Sequence, residues 1–177
     1  MKSLCCVVVL LVALSVCPSA ATSAGLNLSF GGGMAVPLQD LKTYWKSGAS
    51  GSAVIGYKLT PGFEPALRYA MSLFPSRGEP YETFAKTYED MTLKEFAGEI
   101  RAHLTPPGVG MRPYALAGAG AAWVPDKGRF YYYIGGGIRT ALTPRLDLFV
   151  EGRYAVVSVE DYSISYIPVI IGISISL

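Results

Sequence analysis

Two stretches of this chain set charged side chains against apolar ones residue by residue, and that alternation constrains the fold more than any other feature. Between 95 and 104, Glu95, Glu99, Arg101 and His103 share one parity, and Phe96, Ile100, Ala102 and Leu104 the other. Between 145 and 156, Arg145, Asp147, Phe149, Glu151 and Arg153 oppose Leu146, Leu148, Val150, Tyr154 and Val156. A strand's side chains repeat every two residues, so each stretch predicts a strand with one apolar and one ionisable face.

The same period recurs along the chain. Leu26, Leu28, Phe30 and Met34 alternate with Asn27, Ser29, Gly31 and Gly33, predicting a first strand over about 26–36. Ala53, Ile55, Tyr57 and Leu59 mark a second and Leu67, Tyr69, Met71 and Leu73 a third, with Lys58 and Arg68 pointing the other way. The last strand sets Ile167, Val169, Ile171, Ile173, Ile175 and Leu177 against Ser174 and Ser176. A fifth strand, about 112–123, is so rich in Gly and Ala that its inward face stays open; a sixth, 130–142, turns Arg139 inward. With the strands around 100 and 150, the count is about eight.

Past its first two dozen residues the chain has no uninterrupted apolar run of the roughly 18–20 residues that a membrane-spanning helix requires. Apolar rows opposite charged rows instead suit an all-β fold, a transmembrane antiparallel up-and-down β-barrel of about eight strands, greasy outside and polar inside. A secreted lipocalin-like binder of small apolar ligands needs the opposite arrangement, an apolar interior, and is the less favoured reading.

A repeated tripeptide supports the topology. Leu59-Thr60-Pro61, Leu104-Thr105-Pro106 and Leu142-Thr143-Pro144 each fall where an even-numbered strand ends, and proline interrupts a ladder and favours a turn. These predict one rim of short turns. Connections over about 37–51, 75–91, 124–129 and 159–163 are longer on average and form the other rim, an asymmetry of periplasmic turns and external loops. Trp123, Tyr131, Tyr132 and Tyr133 flank the third of these, where an interfacial aromatic belt would lie, with ordinary core aromatics as the alternative.

The N-terminus reads as an export signal. Lys2 precedes an apolar core from Leu4 to Val16, and small residues follow Pro18. Cleavage after Ala21 or Ala24 fits, the latter preferred, which divides the chain into a signal peptide, 1–24, and a barrel, 25–177. A lipoprotein signal ending at Cys17 would place bulky Val16 where a small residue belongs. Cys5, Cys6 and Cys17 all lie in this segment, so the mature chain would carry no thiol chemistry and no disulfide. The formal charge is +2 with basic residues dispersed, which sets nucleic acid aside as a partner.

Catalysis and metal binding find little support. His103 is the single histidine, expected inward at the short-turn rim, without a GxSxG-like context to supply a nucleophile. Glu95 and Glu99 share a face, but four strand residues separate them by about 13 Å, too far for an acid/base pair, and they are expected to meet arginines. The Gly31–Gly33 and Gly135–Gly137 runs lead into neither a helix nor a Lys-Ser/Thr pair, so they read as small residues in curved strands and not phosphate loops. No cofactor or metal is expected.

Together the export signal, Leu26–Pro37, the turn Gly56–Ala70, Arg112–Trp123, the unit Gly135–Tyr154 and the ending Tyr166–Leu177 resemble the eight-stranded outer-membrane β-barrel family, the OmpA/OmpX-like or "porin family" group. Members commonly end in an aromatic residue, where this chain has Leu177. The resemblance implies a place in the bacterial outer membrane, contact with its lipid, and insertion assisted by the barrel-assembly machinery and periplasmic chaperones. It does not imply transport, because side chains fill a barrel of this size. The expected lumenal set is Lys58, Arg68, Glu95, Glu99, Arg101, Arg139, Asp147, Glu151 and Arg153, of both signs and therefore paired across the interior. Either it is a salt-bridged plug, the favoured reading, or it lines a narrow ion path. A structural or interaction role then falls to the loops, with Tyr44, Trp45 and Lys46, and the stretch Glu79 to Asp90, as contact candidates.

Overall fold

A computed structural model describes residues 25–77, 90–105, 110–124, 127–159 and 163–177. The export segment with its three cysteines, Pro106, and Glu79 to Glu89 of the second loop lie outside the described residues. Eight strands follow one another: β1 (Gly25–Pro37), β2 (Gly48–Lys58), β3 (Phe63–Phe74), β4 (Met91–His103), β5 (Met111–Val124), β6 (Lys127–Thr143), β7 (Leu146–Ser158) and β8 (Ser163–Ser176). A short helix, α1 (Gln39–Tyr44), sits in the first long connection. Each strand pairs antiparallel with the next, and β1 pairs with β8 in register from Asn27↔Ser176 to Pro37↔Tyr166, so the sheet closes. Closure gives every strand a partner on both sides and leaves no edge, the condition for β-structure in lipid.

The parity of each strand sets what faces out. Phe30, Ile55, Leu67, Tyr69, Phe96, Ile138 and Ile171 are all about half exposed, and Ile134 reaches 65%. A contiguous apolar exterior on this scale is a lipid-facing belt and would be an aggregation liability in water. Among the described residues no helix is long and apolar enough to cross a membrane.

The open face of the fifth strand resolves here: Tyr114, Leu116 and Ala122 point inward. Its glycines make room for neighbours, since a Cβ at Gly118 would strike the Tyr133 ring, as one at Gly137 on β6 would strike Tyr114. The expected aromatic belt is corrected by the same parity. Tyr132 and Trp123 face out, but Tyr131 and Tyr133 are buried in the lumen, because three consecutive strand residues cannot share a face.

The rims differ from expectation in detail. The first long connection is shorter than 37–51, because β2 begins at Gly48 and pairs with the end of β1. The third is a tight hairpin, since Val124 pairs with Lys127 and leaves only 125–126 between them. Arg145 is exposed in the β6–β7 turn and does not join the inward row, as strand β7 starts only at Leu146.

Candidate functional site

The interior has two layers. Towards the long-loop rim it is apolar: Ala35, Leu41, Phe74, Met91, Leu93, Val157, Ile164 and Tyr166 form a buried cluster, and Trp45 packs against it just after α1. Phe74 and Tyr166 meet edge to face at 5.5 Å. Towards the short-turn rim the inward residues become charged, and there the fold assembles its candidate site.

At mid-height Glu99 on β4 accepts from Arg68 Nε at 2.7 Å, from Arg101 Nε at 2.6 Å and from the Tyr133 hydroxyl at 2.7 Å. Glu151 on β7 closes the ring from the other wall, 2.8 Å from Arg68 Nη2, 3.4 Å from Arg153 Nε and within reach of the Tyr114 hydroxyl, which donates at 3.0 Å. Arg68, Arg101, Glu99 and Glu151 are at most 3% exposed. Charges so deeply buried stand only where partners offset desolvation, and here each anion meets at least two cations. The rings of Tyr133 and Tyr114 add cation–π contacts, with Arg153 5.1 Å and Arg139 5.6 Å from the ring centres.

Glu95 sits at the boundary of the two layers, and the expectation that it meets an arginine is corrected. It accepts from the hydroxyls of Tyr131 at 2.8 Å, Tyr166, and Ser72 at 3.4 Å. Arg153 reaches it only indirectly, through the Tyr131 oxygen at 3.4 Å. The cause is register: Arg68 pairs opposite Ala97, one inward step nearer the short-turn rim than Glu95, which faces Ala70.

Nearer the short-turn rim, Asp147 accepts from Arg112 Nη2 at 2.6 Å, and half-buried Lys58 donates to Ser176 at 3.2 Å. Glu64 was missed by the periodicity because Pro61, Gly62 and Pro65 obscure the start of β3. It is fully buried and shared by Arg101 at 3.3 Å, Arg139 at 3.5 Å and His103 Nε2 at 3.2 Å. Counting back by twos from Arg68 would have found it. His103 is thus a member of the network, its ring tilted on Tyr114. Among the described residues no cluster of side chains could hold a metal ion.

The structure therefore brings all nine sequence-predicted lumenal residues inside the barrel and separates them from the loop residues. Of these, Tyr44 ends α1 and accepts at its carbonyl from Arg77, Trp45 bridges Ser76 and is partly buried, and Lys46 is exposed beyond it.

A closed eight-stranded barrel, apolar outside and filled with paired charges inside, defines the transmembrane barrel fold of bacterial outer membranes. Solved structures of that fold superpose on the chain. Neisserial surface protein A covers 85% of this chain and 96% of its own at 15% identity and a TM-score of 0.61. The N-terminal β-barrel domain of Pseudomonas aeruginosa OprF gives 88% and 98% at 20% identity and 0.56. Ail, the attachment invasion locus protein of Yersinia pestis, solved with the heparin analogue sucrose octasulfate, gives 88% and 100% at 13% identity and 0.53. No protein-family model matches the sequence, and no curated protein does.

Proposed function

We propose that this chain is an exported outer-membrane protein whose barrel is a non-conducting anchor in the lipid and whose long-loop rim makes its functional contacts. The observation that carries this reading is that the lumen is filled at two successive levels, first by the apolar cluster under Trp45 and then by the Arg–Glu ring. An ion entering from either side would have to displace packed side chains or separate buried ion pairs, each at a cost of several kcal/mol. With its charges inside and apolar side chains outside, the barrel is also the inverse of a lipocalin-like binder.

What remains for function is the surface of the long rim. Its connections and the adjoining start of β6 hold Asp40, Glu79, Glu82, Glu89, Asp90, Asp126, Glu160 and Asp161 against Lys42, Lys46, Arg77, Lys86, Lys127 and Arg129. That balance disfavours a sulfated polyanion of the kind bound to Ail and suits a neutral or basic partner surface. Removal of 1–24 would accompany export, leaving Gly25 to begin β1, and barrel-assembly factors and chaperones would deliver the chain.

The test combines fractionation of cells expressing the full precursor, electrophoresis of heated and unheated samples, and planar bilayer recording. The expected result is a heat-modifiable band in the outer-membrane fraction, a mass beginning at Gly25, and no discrete conductance steps. A soluble, detergent-independent monomer would overturn the membrane reading, and reproducible single-channel steps would replace the anchor with a narrow channel.

A further inference from the structure

The charged layer does not balance. Below the apolar cluster the described inward residues carry six cations, Lys58, Arg68, Arg101, Arg112, Arg139 and Arg153, but five anions, Glu64, Glu95, Glu99, Asp147 and Glu151. The shortfall is greatest at one arginine. At mid-height Arg68 and Arg101 share Glu99 and Glu151, whereas Arg139, 1% exposed, makes no hydrogen bond through any of its three nitrogens. Its ion-pair partner, Glu64 at 3.5 Å, is shared with Arg101 and His103. Arg112 is the direct cross-strand neighbour of Arg139, and Asp147 is committed to Arg112.

Beside these residues the short-turn mouth opens into a cleft of about 250 Å³, whose walls include Lys58, Arg112, Thr143, Asp147 and Ser176. The cleft thus brings Lys58, the Arg112–Asp147 pair and two hydroxyls to the same end of the lumen as Arg139, which is buried and does not itself line the cleft. No carboxylate from the adjoining turn can complete the set, since Pro106-Pro107-Gly108-Val109 carries no ionisable side chain. Buried cations without matching anions are unfavourable, and a guanidinium fork and an ammonium are the donors that bind oxyanions best.

We infer that the short-turn mouth is a binding site for a single tetrahedral or carboxylate oxyanion, held by Lys58 and Arg112 at the cleft wall, with the buried Arg139 beside Arg112 adding positive charge behind them. Phosphate is the simplest ligand with this chemistry, and it is offered both free in solution and on anionic lipid headgroups around the same rim. The inference rests on the charge balance of the lumen and is independent of what the long loops contact.

The experiment titrates inorganic phosphate into the folded full-length mature barrel in zwitterionic micelles, following backbone amide shifts at 110–112, 143–147 and 176. Saturable shifts confined to this mouth are expected, weakened about tenfold by Lys58→Gln, the loss of one charge-assisted hydrogen bond. Arg139→Gln is expected to weaken them as well; heated and unheated electrophoresis confirms that each variant still folds, and Lys58→Gln alone suffices if Arg139→Gln does not. Repeating the titration in nanodiscs distinguishes the sources. If phosphatidylglycerol shifts the same amides without added phosphate and removes the response to it, the headgroup is the ligand; if phosphate titrates equally in phosphatidylcholine and phosphatidylglycerol discs, the free ion is. No saturable shift in any medium, or an equal response to chloride at the same ionic strength, would overturn the proposal and leave the mouth to water.

Discussion

The two halves of the lumen share one backbone pattern and solve the problem of filling it by opposite means. Near the long-loop rim, Phe74, Leu93, Val157 and Ile164 fill the barrel by shape, and every contact is replaceable by another of similar volume. Near the short turns, Arg68, Arg101, Glu99 and Glu151 fill it by charge, where each side chain depends on particular partners across 31 to 37 residues or more of sequence. Packing degrades gradually when an atom is lost, whereas a buried ion pair fails as a unit. The layers therefore differ less in how tightly they are filled than in how they respond to damage.

The largest effect is expected at Glu99. Its removal in Glu99→Ala leaves Arg68, Arg101 and the Tyr133 hydroxyl without their shared acceptor and should destabilise the barrel by about 4 kcal/mol. Urea unfolding in micelles, followed by the heat-sensitive gel band, measures this. Replacing Arg101 and Glu99 together by Met and Leu should cost distinctly less than Glu99→Ala alone. Equal or additive losses would show that the charged half behaves like ordinary packing.

In the apolar half, Leu93→Ala removes a fully buried side chain and should cost about 3 kcal/mol through the lost contacts and the remaining void. Unlike the Glu99 defect, it should be largely recovered by Leu93→Met, measured in the same unfolding series. If Met rescues nothing, the upper layer is as geometrically specific as the lower one.

Legibility in the sequence follows the same division. Charged rows on β4 and β7 were readable because an ionisable residue at every second position has no other explanation than a polar face in an apolar setting. The face of β5 was not, since Gly and Ala carry no polarity to mark inside from outside; only Tyr114 and Leu116, packed in place, reveal it. Tyr131 and Tyr133 could have been placed inward by counting from Arg139, but aromatic residues suit both a lipid interface and a lumen, so composition misled where parity would have decided. Pairing was the part that needed coordinates. Glu95 and Glu99 are equivalent in the sequence, yet one meets tyrosines and the other arginines, because register determines which layer each enters.

That boundary position gives the third test. Glu95→Gln keeps one oxygen, able to accept from Tyr166 and Ser72, and turns an NH2 towards the Tyr131 oxygen while removing the charge, and no arginine within ion-pair distance is orphaned by it. The expected loss is about 2 kcal/mol, the difference between charged and neutral acceptors, and clearly below that of Glu99→Gln measured alongside. Equal losses for the two would mean that the network extends through Arg153 and Tyr131 into the apolar layer, and that the division drawn between the halves lies in the wrong place.

The smallest effect is expected on the far wall, where β1 and β8 close the barrel through side chains that are neutral. Ser29 donates to Ser174 at 2.9 Å, and Ser174 in turn donates to Asn27 Oδ1 at 2.6 Å. In Ser29→Ala the Ser174 hydroxyl keeps its own acceptor, so nothing buried loses its only partner, and the cost should be about 1 kcal/mol in the urea series. The backbone pairs from Asn27↔Ser176 onward are untouched, so the unheated band should keep its mobility. A loss as large as that of Glu99→Ala would place the weak point of this barrel at its closing seam and not in its charges.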